Sequence, residues 1–391
     1  MKRRIVLFCG GSGAYELVKT LSQLDDIELT ILVNCYDDGL STGKLRELIP
    51  GMLGPSDIRK NVKHSLRPEN DDLAILDHIL SFRFPGDIRT STIQGRLAAI
   101  LKALRLVGNL GDRRETLLVS SIERFLRYVE ETGHTFSFRN VALGNILFSG
   151  IYLEHAHFNA AIRSFVEFFE IRNRILNLTD GTDLKLVALT DDHLILPNES
   201  AISSVASAKK IQDIFLLGDY LAAGEMQTIE KLGGTAKAEQ LRAHCRVPRL
   251  NEEARDSILS ADVIIYWPGT QHSSLFPSYL TDGLAETIAA LGTCKKILVT
   301  NILKDNDICN ETAFSLVEKF FWFMSRRGSV SNGMTSLVTD VVLNDPRIDL
   351  GRNILPLGTP QRSYPDVAIH IDEWNDSQGK HDIQKVLRRL S

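Results

Sequence analysis

Apolar runs that end in glycine or polar loops open the chain and predict its first elements. A run over residues 4–9 ends in Gly10-Gly11-Ser12-Gly13, and a second apolar run covers residues 28–33. Continuous apolar character is typical of strands that are covered on both faces. Between the two runs, apolar residues recur at helical spacing, namely Leu17, Val18, Leu21 and Leu24. Strand, glycine turn, helix and strand form a βαβ unit, which predicts a parallel sheet.

The same alternation returns in the second half of the chain. Strand patterns cover residues 262–266, 296–301, 337–343 and 366–371, and helical patterns cover residues 284–290 and 312–323. Alternation of strands and helices at both ends of a chain indicates one sheet with helices on both faces. We therefore expect an α/β fold of the Rossmann-like, doubly wound type, with a mainly parallel sheet and residues 4–9 in a central strand.

The middle of the chain follows a different pattern. Residues 97–128 and 140–169 have helical spacing, and residues 183–202 indicate a β-hairpin with a polar turn at Asp191-Asp192. We expect a single domain over residues 1–391, with a helical insertion over residues 85–177 beside the sheet. The polar residues 373–391 are predicted to form a peripheral C-terminal segment with a short helix.

Composition limits the possible partners and compartments. The chain has 391 residues and a net charge of −4, which argues against general binding of nucleic acid. No apolar stretch approaches the length that spans a membrane, and the first apolar run is too short for a signal peptide. Five scattered cysteines form no CxxC pair and are typical of reduced, buried thiols. We expect a cytoplasmic protein that binds neither nucleic acid nor membrane.

The glycine turn Gly10-Gly11-Ser12-Gly13 is the first candidate binding site. Glycines at a strand-to-helix turn let backbone N–H groups approach an anion, and the helix N-terminus favours negative charge. The motif matches neither the full dinucleotide fingerprint nor a P-loop. A plain tight turn explains the glycines about as well.

A second polar loop, "NCYDDGLSTGKLRE", follows the second predicted strand. The adjacent carboxylates of Asp37 and Asp38 repel each other unless a cation or hydrogen-bond donors offset them, and Mg²⁺ bridging to a diphosphate would do so. They could equally cap the next helix, bind a ribose hydroxyl or form an exposed turn. Basic and hydroxyl side chains suit phosphate oxygens and favour a binding role. The candidate phosphate-binding residues of this loop are Asn34, Ser41, Thr42, Lys44 and Arg46.

Two further loops add candidates. Ser56, Asp57 and Arg59 stand in "GPSDIRKN" at a third loop-to-helix start, where a plain N-cap is the alternative. Gly269 and Thr270 follow the strand pattern at residues 262–266, where a proline-glycine turn is the alternative. Loops after the strands of one parallel sheet meet at its carboxyl edge. We therefore expect Asn34, Asp37 and Asp38 to face one cleft with Gly11 and Gly269.

Taken in order, these motifs resemble the 2-phospho-L-lactate transferase (CofD) family, and most of all its YvcK-like branch. The matching segments are "CGGSG", "DDGLSTGKLR", "GPSDIRK", "LGNILFSG" and "SADVIIYWPGTQHSSLFPSYLTDGLAETI". The fourth segment places Asn145 at the family's asparagine position. The likeness runs from Arg4 to about Ala313. Leu40, Ser56 and Trp267 replace family glycines, and residues 85–139 are an added helical segment.

The resemblance implies a nucleoside-diphosphate-linked ligand at the strand ends. In the YvcK-like branch the protein binds UDP-sugars and regulates carbon flux into the cell wall. In the transferase branch, a phospholactyl-type group passes from a nucleoside diphospho donor to an alcohol with Mg²⁺. The matched loops favour a regulatory binding protein, with the transferase as the alternative. In either case we expect Asp37 and Asp38 to hold Mg²⁺, as catalytic residues if there is turnover, and the protein to form a homodimer.

Overall fold

The computed structural model of the chain describes residues 2–68, 72–88, 92–105, 107–108, 110–204, 209–329, 334–345 and 353–390. Met1 and Ser391, the limits of the expected domain, lie outside the described residues. Within the described residues, strands form a seven-stranded and a three-stranded sheet. The strands are β1 (Arg3–Phe8), β2 (Ile27–Val33), β3 (Arg174–Asn177), β4 (Lys185–Thr190), β5 (Ile195–Leu196), β6 (Ile211–Leu217), β7 (Val263–Tyr266), β8 (Lys295–Val299), β9 (Asp340–Asn344) and β10 (Ala368–Asp372).

The large sheet has the order β10-β9-β8-β7-β1-β2-β3, and all its neighbouring strands are parallel. Leu7 of β1 lies opposite Ile31 of β2 and Ile265 of β7, and none of the three is exposed. The predicted parallel pairing of the first two strands is therefore confirmed, as is the α/β fold. β7 is the middle strand, and β1 lies next to it rather than at the centre.

The small sheet has the order β5-β4-β6 and is antiparallel. Its first two strands confirm the hairpin predicted over residues 183–202. The sequence pattern missed β6 because the buried Asp213 interrupts its apolar run. Asp213 is tolerated there because its carboxylate pairs with the guanidinium groups of Arg327 and Arg242. The sequence pattern also missed β3, which is only four residues long.

Helices cover both faces of the large sheet and form a separate group after β2. Among the described residues, no helix combines the length and the apolar character needed to cross a bilayer. The helices are α1 (Tyr15–Ser22), α2 (Leu40–Leu48), α3 (Ser56–His64), α4 (Leu73–Ser81), α5 (Ile93–Arg105), α6 (Asp112–Glu131), α7 (Leu143–His155), α8 (Phe158–Phe168), α9 (Glu199–Ser204), α10 (Ala223–Glu230), α11 (Gly234–Ala243), α12 (Glu252–Leu259), α13 (Phe276–Tyr279), α14 (Leu284–Ala289), α15 (Ala313–Met324), α16 (Met334–Leu337) and α17 (Ile383–Leu390).

The predicted helical insertion contains α5 to α8, and α7 lies at its centre. Residues 143–152 of α7 are all buried, because α6, α8 and α4 pack around this helix. Gly150 has no room for a side chain, since an added Cβ would collide with the backbone carbonyl oxygen of Ser121 in α6. The close approach of the two backbones therefore depends on glycine.

The cysteines carry no disulfide, as expected from their spacing. All five are free thiols, and Cys9, Cys35 and Cys294 are buried. Burial raises the pKa of the Cys245 and Cys294 thiols to about 11, so both remain protonated at neutral pH.

We predict that Gly150→Ala lowers the free energy of unfolding by about 1–3 kcal/mol, because α6 and α7 must move apart to admit the methyl group. Urea unfolding followed by circular dichroism measures the change. Gly224→Ala in α10 is the matched control, because its added Cβ meets nothing within 4 Å. The control should keep the free energy of unfolding or raise it by up to about 1 kcal/mol, because alanine favours a helix more than glycine does. Equal stability of both variants would contradict the packing described for α7.

Candidate functional site

The glycine turn after β1 is held in place from behind by α3. Asn61 of α3 is fully buried, and its Nδ2 donates to the carbonyl oxygens of Gly10 (3.0 Å) and Asp57 (2.9 Å). One amide side chain thus links the turn to the first turn of α3. Ser12 and Gly13 remain exposed on the other side of the turn.

A cleft of about 380 Å³ opens above this turn at the carboxyl edge of the large sheet. Loops after three neighbouring strands, β2, β1 and β7, contribute to it. The lining comprises Gly10, Gly11, Ser12, Gly13, Asp37, Asp57, Lys60, Glu199, Gly269, Thr270, Ser274 and Asp305. Asp37, Gly11 and Gly269 therefore lie in one cleft, as expected from the strand order.

The loop after β7 is fastened to the glycine turn by side-chain hydrogen bonds. Trp267 Nε1 donates to the carbonyl oxygen of Gly13 at 3.0 Å. Asn301, which follows β8, donates from Nδ2 to the carbonyl oxygen of Gly269 at 3.0 Å. The first bond holds the loop after β7 against the glycine turn, and the second joins that loop to the loop after β8.

The cleft is strongly acidic. Its lining contains four carboxylates (Asp37, Asp57, Glu199 and Asp305) and one amine, that of Lys60. Lys60 Nζ donates to Asp57 Oδ1 at 3.0 Å, and this carboxylate raises the pKa of the lysine. One ammonium group cannot offset four carboxylates, so the cleft favours either bound cations or protonated carboxyl groups.

The carboxyl groups show the effect of this crowding in their pKa values. Burial, followed by repulsion from Asp57, raises the pKa of Asp37 well above its usual range, although the backbone N–H of Gly39 donates to its Oδ1 at 2.8 Å. Burial and the charges of Asp37, Asp38 and Asp57 raise the pKa of Glu199 to about 8. A positive ligand charge in the cleft would reverse both shifts.

Asp38 turns away from the cleft, unlike its neighbour. Its Oδ1 accepts the backbone N–H of Glu199 at 2.8 Å, and its Oδ2 accepts the Tyr220 hydroxyl at 3.1 Å. Asp38 thus caps the start of α9 and positions Glu199 at the cleft. The alternative that Asp38 caps the next helix is wrong, because α2 has no side-chain cap and Asp38 contacts the distant α9 instead.

Asn34 lies behind the cleft wall and keeps an unused donor. It is 3% exposed, and its Oδ1 accepts the backbone N–H of Tyr36 at 2.8 Å. Its Nδ2 has no hydrogen-bond partner among the described residues. A buried donor of this kind costs free energy unless a ligand or water satisfies it.

Arg46 is committed to holding the loop that contains Asp37. Its Nη1 donates to the carbonyl oxygen of Tyr36 at 2.7 Å. Its Nη2 donates to Asp183 Oδ1 and to the carbonyl oxygen of Leu184, both at 2.7 Å. The guanidinium group therefore joins the loop after β2 to the start of the small sheet and does not line the cleft.

A buried polar network accounts for four other predicted residues. The Thr42 and Ser56 hydroxyls are 2.5 Å apart, and Asn145 Nδ2 donates to Ser56 Oγ at 3.3 Å. Arg59 donates from Nε to Asn145 Oδ1 at 2.9 Å and from Nη1 to the carbonyl oxygen of Leu80. Burial and the neighbouring Arg83 lower the pKa of Arg59 to about 10. These side chains support α2, α3 and α7 behind the cleft.

Lys44 and Ser41 point towards the helical insertion. Lys44 is exposed, and its Nζ lies 3.4 Å from the carbonyl oxygen of Arg139. Ser41 Oγ accepts from Arg83 Nη1 at 3.4 Å. The basic groups expected to contact phosphates therefore lie outside the cleft, and Lys60 is the basic residue in its lining.

Sequence reasoning missed Lys60, Glu199, Ser274 and Asp305. Lys60 stands beside Arg59 in the quoted "GPSDIRKN" segment, and helical spacing from Asp57 would have placed it on the same face of α3. Ser274 follows the recognised loop after β7. Glu199 and Asp305 come from distant parts of the chain and carry no local signal.

Carboxylates of the cleft could hold a Mg²⁺ ion together with a phosphate-containing molecule. Among the described residues, no three His, Cys, Asp or Glu side chains are grouped to hold a metal by themselves. Mg²⁺ usually binds one or two carboxylates and completes its shell with phosphate oxygens and water. The crowded carboxylates of Asp37 and Asp57 fit this requirement. Mg²⁺ would neutralise phosphate charge there and orient its oxygens.

Comparison with known proteins adds a family assignment to this geometry. A model of the family "2-phospho-L-lactate transferase CofD" matches residues 5–352. A putative gluconeogenesis factor of Thermotoga maritima is 23% identical over 300 residues, which cover 77% of this chain and 68% of that protein. A gluconeogenesis factor of Halalkalibacterium halodurans is 24% identical over 306 residues, which cover 78% and 68%.

Solved structures show the same fold. A crystal structure of a Bacillus halodurans protein superimposes with a TM-score of 0.65 and 20% identity, covering 100% of this chain and 99% of that one. A second structure from this organism, described as a member of the upf0052 family, gives a TM-score of 0.64 at 19% identity. The family likeness inferred from the motifs is thus confirmed.

We predict that stability falls as pH rises, because of Glu199. Its folded-state pKa of about 8 lies above the ordinary value of 4.5, so the folded protein holds a proton that the unfolded chain releases between these values. The stabilisation is complete below pH 4.5 and is lost as pH rises through 8. Urea unfolding from pH 5 to pH 9 in the presence of a chelator measures it.

In Glu199→Gln, the glutamine has the shape of the protonated glutamate but cannot release a proton. The variant should therefore lose less stability over this range than the unsubstituted protein. Glu131→Gln, at an exposed position on α6, is the control and should follow the unsubstituted protein. Parallel pH profiles for all three proteins would show that Glu199 does not titrate in the cleft.

Proposed function

The chain belongs to the 2-phospho-L-lactate transferase CofD family, and on this premise we propose that its cleft binds a nucleoside-diphosphate-linked small molecule. The diphosphate would lie on the glycine turn Gly10-Gly11-Ser12-Gly13, where backbone groups come close to the ligand. Lys60 would supply one positive charge to the phosphates, and Mg²⁺ on Asp37 and Asp57 would supply the remainder.

The excess of carboxylates in the cleft is the observation that carries this proposal. Four carboxylates facing one lysine would repel a bare diphosphate, so the cleft must gain positive charge when such a ligand binds. A ligand that arrives as its Mg²⁺ complex brings that charge. The glycine turn then accommodates the phosphates at the same edge of the sheet.

We favour a regulatory binding protein over an enzyme, with a UDP-sugar or a similar compound as the ligand. The two named bacterial relatives are called gluconeogenesis factors, a description of a role in carbon metabolism and not of a reaction. A ligand-sensitive surface requires only binding. The loops that contain Asp37 and Glu199 would change their contacts when the ligand binds. They would thereby carry the effect of the ligand to the protein surface.

A transferase is the second candidate, and the family description together with the carboxylate cluster favours it. An alcohol oxygen would bond to the distal phosphorus of the donor, the bridging P–O bond would break, and the nucleotide would leave with the bridging oxygen. The alcohol proton would pass to a cleft carboxylate that does not hold Mg²⁺, such as that of Glu199.

Incubation of the protein with a UDP-linked or GDP-linked compound, Mg²⁺ and a small alcohol separates the two candidates. We expect no release of free nucleotide above the rate without protein, as measured by chromatography. Release that requires the protein and disappears in Asp37→Asn would overturn the regulatory assignment and support the transferase.

We predict that Gly11→Val abolishes stabilisation by ligand. A Cβ on Gly11 would collide with the Lys60 side chain and with Asp57 Oδ1, so the substitution displaces both groups and fills the phosphate position. A ligand at a hundredfold excess over its Kd stabilises the unsubstituted protein by about 2.7 kcal/mol, and this gain should vanish in the variant. Thermal unfolding with UDP or GDP and Mg²⁺ measures it.

Gly292→Val is the control for that experiment, because Gly292 is exposed and an added Cβ meets nothing within 4 Å. It should respond to nucleotide like the unsubstituted protein. A Gly11→Val protein that is still stabilised by nucleotide would mean that the glycine turn has only a structural role.

Asp37 and Asp38 should behave differently when each is changed to asparagine. Asp37→Asn removes a cleft carboxylate and should weaken Mg²⁺-dependent nucleotide binding about tenfold or more, with little loss of stability without ligand. Asp38→Asn keeps an oxygen that can accept the backbone N–H of Glu199, so it should leave nucleotide binding unchanged and alter the free energy of unfolding by no more than about 0.5 kcal/mol. Calorimetric titration and urea unfolding test the two expectations. Similar effects of both substitutions on both quantities would contradict the separate roles.

A further inference from the structure

A second cavity continues the cleft towards the C-terminus of the chain. This groove also has a volume of about 380 Å³, and it shares Ser12, Gly13, Gly269 and Asp305 with the acidic cleft. The two cavities therefore adjoin at the glycine turn. The sequence pattern gave no indication of it.

The outer wall of the groove is built by the C-terminal segment. Residues 376–380 form a turn, in which the backbone N–H of Asp376 donates to the carbonyl oxygen of Lys380 at 2.7 Å. His381 then donates from Nε2 to the carbonyl oxygen of Thr300 at 3.0 Å, and its ring lies 5.0 Å from that of Trp267. The segment expected to be peripheral is thus fastened to the loops after β7 and β8. It lies beyond residue 352, where the family match ends.

The groove differs in chemistry from the acidic cleft. Its lining is largely apolar and aromatic and includes Tyr15 and Leu17 of α1, Leu303, and Ile383 of α17. Tyr15 is 38% exposed, and its ring also contacts the His64 ring at 5.0 Å and the Lys19 ammonium group at 5.5 Å. Few charged groups reach the groove, namely Glu16, Asp305 and Lys380.

We propose that this groove binds the base of a nucleoside diphosphate whose phosphates lie on the Gly10–Gly13 turn. The proposal rests on the proposed function of the acidic cleft and assigns the second half of the ligand. A planar heterocycle fits an apolar groove lined by aromatic rings, because every base has a π-face that stacks on such rings. The polar groups at the rim then remain free to contact the ribose.

The C-terminal segment would thereby select the ligand. The glycine turn can bind any diphosphate, whereas the groove adds affinity only for a diphosphate that carries a ring of suitable size. The residues that distinguish nucleotides from simple polyphosphates therefore include Tyr15 of α1 and Ile383 of α17, which both line the groove.

Calorimetric titration of two probes in the presence of Mg²⁺ tests the subsite. Inorganic pyrophosphate reports on the glycine turn alone, and UDP and GDP report on the turn and the groove together. Tyr15→Ala and Ile383→Ala should each weaken the binding of at least one of the two nucleotides about tenfold, the loss expected when one stacking surface is removed. Pyrophosphate affinity should not change, and Tyr15→Phe should bind nucleotide normally. Leu24→Ala, at an exposed position just beyond the far end of α1, is the control.

Each other result has a distinct meaning. If the unsubstituted protein binds neither probe, the proposed function of the cleft is wrong and the subsite falls with it. If it binds both probes but the substitutions leave nucleotide affinity unchanged, the cleft stands and the groove is not the base site. Equal loss of pyrophosphate and nucleotide binding would show that these residues only support the glycine turn, which also overturns the subsite.

Discussion

The parallel pairing of β1 with both β2 and β7 is the constraint on which the rest of the site depends. Parallel strands end at the same edge of a sheet, so the glycine turn after β1, the Asp37 loop after β2 and the Gly269 loop after β7 must meet there. Because the apolar side chains of all three strands are buried, the register of the strands cannot slip without exposing them. The strand pairing of the sheet therefore determines where the cleft lies, independently of the side chains that line it.

The meeting of these loops also creates the main electrostatic feature of the protein. Asp37 and Asp57 arrive from neighbouring loops, and Asp38 places Glu199 beside them by capping α9. Asn61, Arg46 and Trp267 fix the loops through hydrogen bonds to backbone carbonyl groups, so the carboxylates cannot simply move apart. Repulsion is instead relieved by protonation or by a bound cation. A single arrangement thus explains both the raised pKa values and the affinity proposed for a Mg²⁺–diphosphate complex.

Local patterns in the sequence were sufficient for the parallel sheet, the hairpin and the convergence of the glycine turn with Asp37. They could not give the direction of each side chain, because that depends on partners far along the chain. Arg46 looked like a phosphate ligand, yet it is held by Asp183 and Leu184, more than 130 residues away. Glu199 and Asp305 reach the cleft only through the folded structure. The C-terminal wall of the groove was missed for the same reason.

The central claim is that an acidic cleft on the glycine turn binds diphosphate only together with a cation. Calorimetric titration of inorganic pyrophosphate into the unsubstituted protein, first with a chelator and then with excess Mg²⁺ at the same ionic strength, tests it most directly. Four carboxylates against one lysine predict no measurable binding in the chelator and clear binding with Mg²⁺. Equal affinity under both conditions, or binding under neither, would contradict the account.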